Sequence, residues 1–422
     1  MATLLITTLP LASHTLPMLS LAEALVKGGH RVLFHTGQSD YAKVQAAGAE
    51  LVPMSPDCNF AHRLENPAAP MPKWLPEFVR GFLSFRNEIL KMIPCMVAEL
   101  ETVIKRERVD CLVADYLGFG ASYAAERLGI PFVTLTMGWT VTMNANTIPL
   151  FISSTPLPPR IIHTLVDFIF PLGRVRQQIG LPPRPQNAPA EFFSIVVSKL
   201  LNLVTFPQEF IPAEKLQENQ VFIGPTAFQM PEVSDRQPFG ANLEPGTVLV
   251  STTTSGDSGD MGLFRQMLES IAQMGIPILA TSASATDIPD GLGENVRLET
   301  FVPFDEVLPY IRALVTHGGT GSVGRALQYG VPMLIISSYG ETVNTGHQAA
   351  KLGLAYHLPK SKATPTVIRS TLQALLQDQA LHARVKALSE KMLAMDSQEI
   401  AVKAVENILH SEKITVGNYS SR

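Results

Sequence analysis

Apolar residues in this chain come in short runs separated by stretches of helical period, the order expected of strands and helices alternating in a parallel sheet. Thr3 to Thr8 is β-prone, and after a loop the segment LPMLSLAEALVKGG repeats its apolar residues at helical spacing until Gly28 and Gly29 stop it. RVLFH, DYAKVQAAG and ELVPM then read as strand, helix and strand, and the alternation resumes with DCLVAD, ASYAAERLG, IPFVTLT and the strand-like NQVFIGP. From Gly246 it restarts: TVLVST, a helix near Leu263 to Met274, IPILAT, NVRLETF, ALVTH, a helix after Gly321, PMLIIS, and helices toward the end.

Between the two halves, residues 226–245 are rich in proline and polar residues and free of either period, so they read as a linker. The expected domains are 1–225, 246–398 after that linker, and a terminal segment 399–422 whose AVKAVENILH has amphipathic helical spacing. The fold class expected is α/β, with two Rossmann-like domains facing across a cleft. Two stretches, Pro53 to Ile93 and Trp139 to Pro185, carry prolines and aromatics without regular alternation and read as insertions that cap a site.

A length of 422 residues suits two cores rather than one. Lysine and arginine total 33 against 37 acidic residues, a net charge of −4 with no long basic run, which argues against nucleic acid as a partner. A charged fraction of only 17% points to large buried sheets or a generous apolar pocket. The most lipid-like segment, Ile161 to Leu172, is broken by His163 and Asp167 and is shorter than the ~20 residues a bilayer requires. No transmembrane segment is expected, although peripheral membrane contact stays open. The amino terminus lacks the basic region of a signal peptide, and the three cysteines show no CxxC spacing. Neither a disulfide framework nor a zinc site is indicated, and a cytoplasmic location fits.

One turn concentrates the candidate chemistry. THGGTGS, Thr316 to Ser322, lies where a strand gives way to a helix, the place where unsatisfied helix N–H groups face a ligand. Glycines allow a phosphate to approach the backbone, Thr320 and Ser322 offer hydroxyl donors, and His317 adds a side-chain donor. Such turns also occur for close packing alone. A second hydroxyl-rich turn, TTTSG after the first strand of the same half, also reads as a helix cap, but two such turns in one sheet favour a shared anionic ligand.

FVPFDEVLPYIRALVTHGGTGSVGRALQYGVPMLI resembles the donor-site signature of the GT-B, nucleotide-sugar-dependent glycosyltransferases, the group of plant and animal UDP-glycosyltransferases and bacterial macrolide- and carotenoid-type enzymes. LPLASHTLPMLSLAEALVKGGHRV is similar to that family's opening, and VFIGP to the strand closing its first domain. The resemblance implies that His317 binds the donor phosphate while Gly318, Gly319, Thr320 and Ser322 close the pyrophosphate loop. Phe301 would stack on the base, Val302 would pair with it through its backbone, and Thr254 and Ser255 would lie near the leaving phosphate. His14 matches the catalytic base, in a loop after the first strand, and Asp115 the acid that orients it. The resemblance also implies that the terminal helix crosses back to the first domain. His30 and His35 read as structural.

The sequence departs from the family at GETVNTG. Glu341 keeps the sugar-reading acid, but Thr342 and Thr345 stand where glutamine and asparagine are common. Arg325 replaces a frequent ribose-binding glutamate, and a cation there could favour the pyrophosphate or a different nucleotide; Phe304 replaces a frequent glutamine. The expected reaction is an inverting sugar transfer from a nucleotide diphosphate donor, UDP-glucose or similar, to a hydroxyl of a small lipophilic acceptor: a polyketide, carotenoid, sterol or phenolic. UDP is preferred to dTDP on family frequency. With no Asp-x-Asp signature, neither metal nor cofactor is expected. Trp74, Phe78, Phe82, Phe85, Trp139, Phe151, Phe168 and Phe170 would supply the acceptor's apolar wall, each also being ordinary core material. The alternatives are a UDP-sugar epimerase of the same architecture and a non-catalytic partner protein.

Overall fold

The computed structural model describes residues 1–59, 72, 74, 77–138, 158–185, 188, 190–213, 216–226, 228, 237–252, 261–281, 291–338 and 340–412. The chain divides into two compact units. The first comprises Met1–Phe206, Ile211–Glu232 and Asp396–Arg422, the second Pro207–Phe210 and Val233–Met395. The division falls at Glu232 and Val233, within the proposed linker 226–245, of which residues 227 and 229–236 lie outside the described residues.

The first unit holds a sheet of β1 (Thr3–Thr7), β2 (Arg31–Thr36), β3 (Glu50–Pro53), β4 (Cys111–Asp115), β5 (Phe132–Thr136), β6 (Leu201–Val204) and β7 (Gln220–Phe222). Their order is β3-β2-β1-β4-β5-β6-β7, every pair parallel. Successive residues of each strand enter different cores. Leu4, Ile6, Val32, Phe34, Cys111 and Val113 join one apolar cluster, while Leu5, Leu33, Leu112 and Ala114 join another. Burial on both faces explains why these strands read as continuous apolar runs rather than alternating ones.

Different helices fill the two faces. The first cluster is completed by the Ala12–Lys27 helix through Met18, Leu19, Leu21, Ala22 and Leu25, and by Ala401, Val405 and Leu409 of the terminal Ser397–Glu412 helix. His30 reinforces this packing with a hydrogen bond of 3.3 Å between its Nε2 and Glu406 Oε1. The second cluster is completed by Met96, Leu100, Val103 and Ile104 of a 31-residue helix, Glu77–Glu107, and by Ala121, Ala124 and Ala125 of Ala121–Leu128.

That long helix departs from the sequence reading, which left Pro53 to Ile93 irregular. Its apolar positions pack at helical spacing, and Pro94, which looks like a break, removes one internal hydrogen bond without ending the helix. The second insertion also contains helices, Pro159–Ile169 and Leu172–Gln178. The polar residues that interrupt its apolar run have local work: His163 Nδ1 accepts the Ala190 N–H at 3.1 Å, and Asp167 accepts the Glu191 N–H at 2.9 Å. Among the described residues no helix is long and apolar enough to cross a membrane.

The second unit holds β8 (Val248–Ser251), β9 (Ile278–Thr281), β10 (Val296–Glu299), β11 (Ala313–Thr316), β12 (Met333–Ser337) and β13 (Ala355–Pro359), ordered β10-β9-β8-β11-β12-β13 and again all parallel. Both sheets therefore reverse their winding once, between β1 and β4 in the first unit and between β8 and β11 in the second. Ligands of open parallel sheets gather at the carboxyl ends of strands at such a reversal.

The terminal helix is part of the first unit's core, so Val405→Ala, which removes two methyl groups from a position with 0% exposure, is expected to cost about 2 kcal/mol. Urea unfolding of the first unit should show an earlier midpoint. An unchanged midpoint would detach the helix from that core.

Candidate active site

The reversal in the first sheet brings together two residues 101 positions apart in sequence. Register pairs Thr7 with Ala114, so the residues that follow, Thr8 and Asp115, end adjacent strands side by side. Asp115 is buried, and its carboxylate is fully occupied: Oδ2 accepts from Thr8 Oγ1 at 2.6 Å and from His14 Nδ1 at 3.0 Å, while Oδ1 accepts the Leu117 N–H at 2.9 Å. The carboxylate assigns the imidazole proton to Nδ1, which leaves the Nε2 lone pair as the acceptor. The Tyr116 ring lies 5.3 Å from the imidazole centroid and tilted 45° to it, a second restraint on the ring.

His14 does not sit in a loop, as its sequence context suggests, but in the first turn of the Ala12–Lys27 helix. Pro17 looks like a helix start, yet the helix begins earlier, with the Thr15 N–H donating to the Leu11 carbonyl at 2.8 Å. A proline so near the beginning removes only one bond of the ladder. The consequence is an imidazole mounted on a rigid element whose far side is packed into the core. Thr8 was not singled out from the sequence. Its only signal is a hydroxyl immediately after a strand, and its partner becomes visible only once β1 and β4 are known to be neighbours.

A third apolar cluster lies beside this site. Leu9 and Phe119, which follow β1 and β4, pack with Ile89, Met92, Ile93 and Val97 of the long helix and with Phe170, Leu172 and Val175. Arg176 fastens its last segment, donating to both oxygens of Glu126 at 2.9 and 2.6 Å and to Glu191 at 3.2 Å. Of the eight aromatics expected to line an acceptor wall, Phe170 is core, stacked on Phe192 with centroids 4.2 Å apart, and Phe85 is partly buried in the same cluster. Trp74, Phe82 and Phe168 are exposed. Trp139, Phe151 and the Phe78 side chain lie outside the described residues.

The reversal in the second sheet carries the glycine turn. Thr316 ends β11 opposite Ser251 of β8, and His317, buried, follows it directly. Gly318 adopts φ +96°, and a Cβ there would lie 2.7 Å from Ile335 Cγ2 and 3.1 Å from the Thr342 carbonyl oxygen. Both facts require glycine. Gly319 precedes the Thr320–Gln328 helix as its N-cap residue, and a Cβ on it would press on the His317 ring at 2.9 Å. No side-chain cap bond is made there, so the first N–H groups of that helix remain available to an anion. Thr320 and Ser322, both half-buried, lie in its first turn.

Around this turn, Phe301 is 70% exposed just beyond β10, a large apolar ring facing solvent, while its neighbour Val302 is buried. Glu341 is half-buried in the first turn of the Gly340–Lys351 helix. Thr342 and Thr345 are buried, which explains why short side chains stand there: Thr342 packs against Gly318. Thr254 and Ser255 lie outside the described residues. The charge of Arg325 is not free to meet a pyrophosphate. Its guanidinium donates to Asp305 at 2.9 Å and to Gln328 at 2.8 Å, and Asp305 also accepts from the Tyr329 hydroxyl at 3.1 Å. Burial and the Asp305 carboxylate push the Tyr329 phenol up to about 12, which keeps it a donor. A cavity of ≈ 500 Å³ lined by Arg312, Tyr329 and Lys386 lies at the opposite end of β11 from His317.

Comparison with known proteins bears on the fold and the activity. Residues 265–408 match the domain described as "Erythromycin biosynthesis protein CIII-like, C-terminal domain". The chain is 26% identical to 4'-demethylrebeccamycin synthase of Lentzea aerocolonigenes over 97% of its own length and 100% of that protein's. It is 23% identical to NDP-glycosyltransferase YjiC of Bacillus subtilis (strain 168), covering 96% of this chain and 97% of the other. Among solved structures, the glycotransferase of kitacinnamycin superposes with a TM-score of 0.75 at 22% identity, covering 97% and 99% of the two chains. With transferases as relatives, the epimerase and non-catalytic readings are not favoured. End-to-end similarity to glycosyltransferases, two parallel sheets each reversed once as in GT-B structures, and the matched domain together support a transferase of GT-B architecture, similar to the nucleotide-sugar-dependent glycosyltransferases.

Proposed function

We propose that the protein transfers a sugar from a nucleotide diphosphate, UDP-glucose or a similar donor, to a hydroxyl of a small lipophilic natural product with inversion at the anomeric carbon, in the cytoplasm and without metal or cofactor. The observation that carries this reading is the His14 Nδ1 to Asp115 contact of 3.0 Å at the strand reversal of the first sheet. Nε2 of His14 takes the acceptor's hydroxyl proton as that oxygen attacks the anomeric carbon, and the bond to the donor phosphate breaks with its electrons leaving on the diphosphate. Asp115 holds the imidazole in the competent tautomer and stabilises the imidazolium that forms. Thr8, bonded to the same carboxylate oxygen as His14, positions the pair.

On the donor side, His317 and the Gly318–Ser322 turn receive the diphosphate, with the helix N-terminus stabilising the charge that develops on it. Thr254 and Ser255 complete that cradle. Phe301 offers its exposed ring to the base, and the Val302 backbone pairs with the base edge. Glu341 accepts hydrogen bonds from sugar hydroxyls, supported by Thr342. The acceptor lies against the aromatic residues beside the His14 end of the first sheet, where Phe82 and Phe168 remain exposed.

His14→Ala should lower kcat by about a hundred- to ten-thousand-fold while nucleotide binding by calorimetry stays unchanged. Full activity in that variant would remove the base assignment. Gly318→Ala should destabilise the second unit by about 2–4 kcal/mol through its positive φ and the contacts with Ile335 and Thr342. The same variant should lose most of the rise in melting temperature that a nucleoside diphosphate gives the parent protein, and an undiminished rise would place the diphosphate elsewhere. Initial rates should be insensitive to EDTA. Activity abolished by chelator and restored by magnesium or manganese would exclude the metal-free mechanism.

A further inference from the structure

Cys58 and Cys95 are 37 residues apart in sequence, without the spacing of a redox or metal motif, yet their sulfur atoms lie 2.8 Å apart. Cys58 closes the short turn Pro56–Cys58 that follows β3 and is fully buried, whereas Cys95, on the Glu77–Glu107 helix, is half-buried. One helical turn beyond Cys95, Glu99 accepts from the Ser55 N–H at 3.0 Å, from Ser55 Oγ at 2.6 Å and from His35 Nε2 at 2.9 Å. His35 is held in turn by Thr7 Oγ1 at 2.8 Å from its Nδ1. The turn carrying Cys58 is therefore anchored to the helix carrying Cys95 by hydrogen bonds among Glu99, Ser55 and His35 as well as through the sulfurs. The two thiols are held in register whether or not they react.

We propose that Cys58 and Cys95 form an oxidisable pair that closes to a disulfide when the protein meets a hydroperoxide and reopens with a dithiol reductant. Cys95, the more accessible sulfur, attacks the peroxide oxygen, breaking the O–O bond to give a sulfenic acid and one water when the oxidant is hydrogen peroxide. The Cys58 sulfur then attacks the sulfenic sulfur and displaces a second water. Two thiols lose two electrons and two protons in all, and the peroxide becomes two waters. The sulfurs need approach by less than about an ångström to reach the ~2.05 Å of a disulfide bond. In the reduced form, burial and the Cys95 and Glu99 side chains push the Cys58 thiol up, so it waits as a neutral thiol while Cys95 meets the oxidant first.

A metal site is the competing chemistry, since one ligand atom each from Cys58, Cys95 and Glu99 lie within 4.8 Å of one another. Geometry opposes it. Two thiolates on a tetrahedral zinc with ~2.3 Å bonds sit roughly 3.8 Å apart, well beyond the 2.8 Å here. Both oxygens of Glu99 are also taken: Oε1 by His35 and the Ser55 N–H, Oε2 by Ser55 Oγ. Burial works against its charge, but the bonds from His35 and Ser55 prevail and hold the carboxyl at about 2. The third cysteine, Cys111, is buried in β4 within a different apolar cluster and serves as an internal control.

The test uses the full chain, treated with hydrogen peroxide or with dithiothreitol, then denatured and alkylated with N-ethylmaleimide. Reduced protein should take adducts on all three cysteines. Oxidised protein should take one, on Cys111, with a mass lower by two hydrogens and a peptide linking Cys58 to Cys95. Dithiothreitol should restore full labelling, and oxidation should raise the melting midpoint by several degrees through the loop it closes. Cys58→Ser and Cys95→Ser should each abolish the linked peptide and the shift. Full labelling after peroxide, a link to Cys111, or a stoichiometric metal that both serine variants lose would overturn the proposal.

Discussion

A carboxylate removed from water must be satisfied by donors, and the requirement of Asp115 organises the working end of the first unit. Three elements meet on it: the end of β1 through Thr8, the first helix through His14, and the turn after β4 through the Leu117 N–H. Each donor is fixed because its own element is packed. Strand register aligns Thr8, the helix is held by the shared apolar cluster, and Gly120, at φ +105°, ends the turn and starts the next helix close against Met96. Misplacing any of the three would leave a buried charge short of a partner, a defect worth several kcal/mol. The orientation of the imidazole is thus a by-product of satisfying the acid behind it.

The second unit meets a different constraint at the equivalent place in its sheet. Here the backbone itself must come close. The Gly318 φ and the proximity of Ile335 and Thr342 leave no room for a side chain, and the helix that follows begins with uncapped N–H groups. One unit presents an imidazole at its strand reversal, the other presents main-chain donors. The same topological feature has been given opposite chemical characters.

Much of this was legible in the chain. Strands buried on both faces announce themselves as unbroken apolar runs, and among the described residues eleven of thirteen strands coincide with runs that the pattern picks out. The two that escaped, Leu201–Val204 and Ala355–Pro359, are interrupted by asparagine or histidine. The long helix through Pro94 escaped because proline is read locally, whereas its tolerance depends on the packing of the whole helix. Thr8 and the pair of Cys58 with Cys95 were illegible for a deeper reason. Their significance lies in which strands and helices are neighbours, and residue spacing along the chain carries no record of that. Arg325 was visible as an unusual cation, but only Asp305 and Gln328, brought alongside it, show that its charge is already spent.

The first unit is built from both ends of the chain, with Asp396–Arg422 completing a body begun at Met1. During synthesis, therefore, the sheet and the helix bearing His14 emerge early but wait for their last packing partner until all of Val233–Met395 has been made. At about 5–20 residues per second this delay is on the order of ten to thirty seconds. Through that interval Met18, Leu25 and their neighbours lack the cover that Ala401, Val405 and Leu409 later provide. Emergence of the Ser397–Glu412 helix, rather than of the sheet, is then the event that completes the first unit.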